Sequence, residues 1–202
     1  MTLTRSPIRE LVLETLRDPR VAARRILAAH LPLAALWEAL ALVVVLSVLT
    51  GQVATMLVGG LTPDSVSLLP VFFFSPFLLA LVQGVLLVVM VAAVYGIGRA
   101  FGGQGQFAGA LALVTWLQFL MVCLQVLQGV ALVIAPLLST LLGLAGVVAF
   151  FYLLTIFICE LHGFTRPGMV FAGILATLVG MIFILSILLG ILGIGYVGVP
   201  DV

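Results

Sequence analysis

The sequence predicts an all-α polytopic membrane protein, in which N-terminal amphipathic interfacial helices precede five transmembrane helices. Three observations carry this. The chain of 202 residues is 64% apolar and 7% charged, whereas an ordinary soluble domain is about half apolar and a quarter charged. Its few charges are clustered, and the uncharged runs between them supply the roughly 20 apolar residues that each membrane-crossing helix needs. All eight basic residues are arginines, and six of them (Arg5, Arg9, Arg17, Arg20, Arg24 and Arg25) precede residue 31. A charged side chain at the bilayer centre costs roughly 2.5 to 3.5 kcal/mol, so the remaining two, Arg99 and Arg166, mark membrane surfaces. Alanine, glycine, leucine and valine dominate, as in proteins from GC-rich bacterial genomes, and the expected location is a bacterial inner membrane.

Taken in order, residues 1–31 form a basic head. Ser6-Pro7 and Asp18-Pro19 each read as an N-cap followed by proline in the first helical turn. After Ser6, the residues Ile8, Leu11, Val12, Thr15 and Leu16 share one face. After Asp18, Ala22, Ala23, Ile26, Leu27 and His30 lie to one side and Arg20, Arg24 and Arg25 to the other. Two such helices are expected in the headgroup layer. Arg17, Arg20, Arg24 and Arg25 are then a topology anchor, or a site for anionic lipid or a partner.

Residues 32–195 hold the spans and residues 196–202 a short tail. Span one is expected over about Leu36 to Leu57, between Glu38 and Asp64, with Trp37 at the interface. A polar loop covers about Gly59 to Leu69, and Pro70 opens span two, which runs to about Val94. From Ala100 to Cys159 no residue is charged. That run suffices for span three (about Phe107 to Ile134), a tight turn at Pro136, and span four (about Leu137 to Ile158). Span five follows from about Val170 to Leu192. With the N-terminus inside, five spans put the Arg99 and Arg166 loops on the side of the head, while the other loops and the outer C-terminus carry only Asp64 and Asp201. Four or six spans break that agreement with the positive-inside rule.

The stretch from Tyr95 to Phe107 is read as the pivot of the chain. Its glycines at 96, 98, 102, 103 and 105 each weaken a helix by nearly 1 kcal/mol, so a turn is expected from about Tyr95. Arg99 is placed to donate to the carbonyls at the end of span two, and Gly102 and Gly103 to reverse the backbone. A competing use for Tyr95, Gly98, Arg99, Gly102 and Gly103 is headgroup or partner contact. Gly96-Ile-Gly98 is no dinucleotide fingerprint, because Phe101 occupies the place of the third glycine and a membrane span precedes it.

Inside the spans, Thr115, Gln118, Gln125 and Gln128 form one polar stripe, which must face protein or water. It reads first as glue, with the amides bonding to Gln83 or to other helices, and second as the lining of a polar path. Gly105-xxx-Gly109 and Ala172-xxx-Ala176-xxx-Gly180 mark close helix contacts. Phe107-Ala-Gly-Ala-Leu-Ala-Leu-Val resembles Phe171-Ala-Gly-Ile-Leu-Ala-Thr-Leu-Val, so spans two-three and four-five are candidate parallel copies. Glu160 and His162 could ligate a metal or relay a proton, but an interfacial ion pair with Arg166 is the simpler expectation. Cys123 and Cys159 read as small buried apolar residues with no disulfide partner.

The amphipathic lead-in with Arg17-Asp18-Pro19, the five spans, the Tyr95-Gly-Ile-Gly-Arg-Ala-Phe-Gly-Gly-Gln-Gly-Gln-Phe turn and the Gly163-Phe-Thr-Arg-Pro-Gly turn together resemble the Yip1-domain family in its bacterial branch, over about residues 10 to 193. The resemblance implies an all-helical five-span domain with a cytoplasmic N-terminus. Eukaryotic members are associated with vesicle trafficking and small GTPases, often as hetero-oligomers, a role not expected to transfer to this chain with its short head. The functional expectation is a non-catalytic protein acting through helix packing, as an accessory or scaffold subunit or as a bilayer organiser. It needs no cofactor or metal. Its partners are membrane lipids and other integral membrane proteins or further copies of itself, and nucleic acid is not among them. The competing expectation is a small transporter or permeability factor using the glutamine stripe.

Overall fold

A computed structural model describes residues 7–59 and 75–191. All of its regular elements are helices: α1 (Pro7–Arg17), α2 (Pro19–Ala28), α3 (Leu33–Gly59), α4 (Pro76–Ala100), α5 (Phe107–Ile134), α6 (Pro136–His162) and α7 (Pro167–Ile191). Five of them, α3 to α7, are long and apolar enough to cross a bilayer, so this is a multi-pass membrane protein. The chain divides into two compact units, Met1–Thr165 and Arg166–Val202. The second contains α7, which begins after Arg166, whose carbonyl accepts the Met169 and Val170 amides. The expected loop around Asp64, the start of span two at Pro70 and the tail lie outside the described residues.

Proline chemistry punctuates the first unit. Asp18 caps α2 by accepting from the Arg20 and Val21 amides at 3.0 and 3.2 Å, and Pro19 follows in the first turn, where no amide partner is needed. Ala135, held extended by the proline after it, is the single residue between α5 and α6. That tight hairpin sets the two helices side by side. Helix α6 ends at Gly163, whose φ of 74° is left-handed, and Phe164 closes the cap on the Cys159 carbonyl at 3.0 Å.

Within this unit α5 is central, touching α2, α3, α4 and α6. Its first half is packed on all sides, with Ala110, Leu111, Leu113, Val114 and Leu117 buried, whereas Val126, Leu127, Val130 and Val133 in its second half are exposed. Leu153 to Cys159 of α6 and Ala22 and Ala23 of α2 are buried as well. The core therefore gathers at the end where the head docks. Elsewhere the helices turn apolar side chains outward, as a bilayer permits, since lipid tails are as apolar as leucine.

Several expectations are corrected. Helix α4 does not stop near Val94; it runs through Gly96 and Gly98 to Ala100. At Gly98 the glycine penalty is offset because the bare backbone closes on His162, as described below. Cys159 is buried, but Cys123 is exposed, on the outer side of α5. The proposed repeats enter their helices in different register: Phe107 is the first residue of α5, while Phe171 lies a full turn inside α7.

Candidate functional site

Polar contacts concentrate where the head meets the ends of α4 and α6 and the start of α5. Residues 160 and 162 are about 200° apart around a helix of 3.6 residues per turn, so Glu160 and His162 face different neighbours. Glu160 turns to α2. Its carboxylate accepts from Arg20 Nη1 at 3.2 Å and from Arg24 Nε at 2.9 Å, and its side chain is 14% exposed. Arg25 pairs within the head, with Glu14 at 2.9 Å. The head is held a second time through Thr15, whose hydroxyl accepts from Trp116 Nε1 of α5 at 3.1 Å and donates to the Leu11 carbonyl.

His162 turns the other way and is 3% exposed. Its Nδ1 accepts the Gly105 amide at 3.2 Å, so Nδ1 carries no proton and Nε2–H is left to donate to the Val94 carbonyl at 3.0 Å. Its own carbonyl accepts from Gln104 N at 3.3 Å, and Phe164 stacks on the ring at 5.5 Å. Three glycines make room for the imidazole. A Cβ on Gly98 would lie 2.5 Å from Cδ2 and Cε1, one on Gly103 2.6 Å from Cβ and Cγ, and one on Gly105 2.7 Å from Cε1. Gly105 and Gly109 also receive Leu161, and Gly109 receives Leu27 of α2.

This geometry corrects the expectation for the second turn. Glu160 bonds to the head, not to Arg166, because helix periodicity and the docking of α2 put two guanidinium groups on its face. Both nitrogens of His162 are spent on backbone groups, which leaves it no lone pair for a metal. Among the described residues no group of three or more His, Cys, Asp or Glu side chains comes together.

In the first turn, Arg99 is exposed and its side chain does not cap α4. Backbone bonds do so instead: Phe101 N to Ile97 O, Gly102 N to Arg99 O and Gly103 N to Gly98 O. Only Gly102 reverses the chain with a left-handed φ, of 85°; Gly103 is needed for proximity to His162. Tyr95 meets Phe107 edge to face at 5.8 Å, and Trp37 approaches the same ring at 6.2 Å, which ties α3, α4 and α5 together. Of the head arginines, Arg20, Arg24 and Arg25 are engaged within the chain, while Arg17 is exposed.

The polar residues of α5 do not converge on one lumen. Gln125 meets Ser47 of α3, accepting from its hydroxyl and donating to its carbonyl, both at 3.2 Å, and Gln83 of α4 donates to the same hydroxyl at 2.9 Å. Gln128 lies against Gly143 of α6. Gln118 is half-buried, and the Thr115 hydroxyl is buried with no partner. Sequence reasoning missed Ser47, the Trp116–Thr15 bond and the His162 plug. The one available signal was glycine at 98, 103 and 105, since close-set glycines beside a histidine-bearing loop invite a bulky insert.

A family model described as the Yip1 domain matches residues 13–188. No curated protein and no solved structure matches the chain.

Proposed function

This chain belongs to the Yip1-domain family, and from that premise we propose that it is a non-catalytic membrane scaffold. It acts by lateral helix packing, as an accessory subunit of a membrane assembly or as an organiser of the bilayer around it. The observation that carries this reading is the clamp of Arg20 and Arg24 on Glu160, which fastens the amphipathic head to α6. The half-spent glutamine stripe supports it too, because Gln125 and Gln83 both bond Ser47, which links three helices. The small residues Ala172, Ala176 and Gly180 of α7 are assigned to a neighbouring helix. The head and the Arg99 turn lie on the cytoplasmic face of a bacterial inner membrane, with the C-terminus outside.

Extraction in a gentle detergent is expected to yield a co-purifying complex or a stable oligomer; a lone monomer at every stage overturns the scaffold reading. Orientation is checked with Arg99→Cys in a background of Cys123→Ser and Cys159→Ser. Labelling of that cysteine by an impermeant reagent in intact cells would reverse the topology. The competing reading, a permeability factor, requires that Gln118→Leu with Gln125→Leu abolish a flux in liposomes while assembly persists.

A further inference from the structure

Between the end of α2, the start of α3, the α4–α5 turn, the start of α5 and the end of α6 lies a cleft of about 220 Å³. Ile26, Leu27, Leu36, Ala112 and Leu161 give it apolar walls, and His30, Gln104 and Gln106 give it a polar rim. We propose that this cleft holds one anionic phospholipid of the adjoining leaflet, with its phosphate at the His30, Gln104 and Gln106 rim and its glycerol and first methylenes between Leu27 and Leu161.

The amphipathic lining selects the occupant. Water alone finds few partners on the walls, and an acyl chain alone gains nothing over the bilayer, whose tails are equally apolar. Discrimination must therefore come from the rim, and the rim has capacity to spare. Gln104 and Gln106 are exposed, and neither side chain is bonded among the described residues; Gln106 stands at the N-cap of α5 without capping it. His30 holds a left-handed backbone, φ 43°, an unusual state for a residue other than glycine. Its Nδ1–H donates to the Ala28 carbonyl at 2.7 Å, which leaves Nε2 unbonded at the rim among the described residues. The head carries a net charge of +3 over its first thirty residues, which draws anionic headgroups to this surface, although no arginine lines the cleft itself. Leu31, which lines the cleft and is exposed, carries the apolar wall outward.

The inference does not depend on the scaffold reading, because its readout is lipid retained by a single chain. The full protein is released from mild detergent for native mass spectrometry after incubation with equimolar phosphatidylglycerol, phosphatidylethanolamine and diacylglycerol of identical chains. Wild type is expected to keep one phosphatidylglycerol, at least tenfold in preference to both phosphatidylethanolamine and diacylglycerol. Ala108→Trp, which fills the cleft, should cut that retention about tenfold, whereas Leu86→Trp on an exposed face of α4 should leave it intact. Equal retention of phosphatidylglycerol and either of the other two lipids overturns the proposal, as does wild-type retention in Ala108→Trp or equal loss in Leu86→Trp. If Ala108→Trp does not fold, the triple variant His30→Ala, Gln104→Ala, Gln106→Ala, altered only at exposed positions, decides: wild-type preference in it sinks the idea. Displacement of the lipid by millimolar inorganic phosphate would also overturn it, assigning the rim to a soluble anion.

Discussion

Replacing Gly98 with alanine tests the histidine plug directly. A Cβ at that position would sit 2.5 Å from two ring carbons of His162, where carbon atoms prefer about 3.5 to 4.0 Å. The ring must therefore retreat by about 1 Å, and it is pinned at both nitrogens, by Gly105 N and Val94 O. Overpacking of this kind costs about 1 to 3 kcal/mol, and each hydrogen bond lost about 0.5 to 1.5 kcal/mol more. Against this, alanine improves helix propensity by roughly 0.5 to 1 kcal/mol. The net expectation is a loss of about 2 to 4 kcal/mol. Gly96 provides the control, since two residues earlier on the same helix a Cβ would meet nothing within 4 Å. Gly96→Ala should therefore be neutral or stabilising by up to about 1 kcal/mol. Reversible unfolding in mixed detergent micelles reads both, together with a cycle in which Gly98→Ala is combined with His162→Ala. The two changes should couple by about 1 to 3 kcal/mol, because removing the ring removes the clash. If Gly98→Ala proves as harmless as Gly96→Ala, or if the pair is additive, the plug is not what holds the turn.

The Glu160 clamp should break asymmetrically. Glu160→Gln frees two arginines that are already half-exposed and should cost about 1 kcal/mol; Arg20→Ala with Arg24→Ala strands a largely buried carboxylate and should cost about 2 to 3 kcal/mol, both read as faster amide exchange in α2. Ser47→Ala removes the hydroxyl shared by Gln83 and Gln125 and should lower stability by about 0.6 to 2 kcal/mol, seen in the same micelle titration. Thr115→Val goes the other way: its hydroxyl is buried without a partner, so an isosteric methyl should stabilise by about 1 kcal/mol, and a clear loss would mean the hydroxyl has work to do.

Element identities were readable because the bilayer imposes length and polarity on every span. The Phe107 start of α5 and the single-residue turn at Ala135 follow from a glycine-rich stretch and from Pro136. The extension of α4 past Val94 was not readable. Helix propensity counts glycine as a breaker, and only the packing of His162 against Gly98 and Gly103 makes the bare backbone an advantage. The same limit applied to Glu160: the topology put it on the surface with the head arginines, but nothing local distinguishes Arg20 and Arg24 from Arg166 as its partner.

By itself, then, the sequence determined that five helices are long and apolar enough to cross a membrane and where the arginines cluster between them, because these depend on runs of like residues and on solvation. The tertiary structure alone decided that α1 and α2 dock on the bundle, that one imidazole locks the end of α4 to that of α6, and that a half-polar cleft remains beside them. Those features arise between residues as far apart as Arg20 and Glu160, and a pairing over such a separation is chosen by shape and charge in three dimensions, which no local periodicity records.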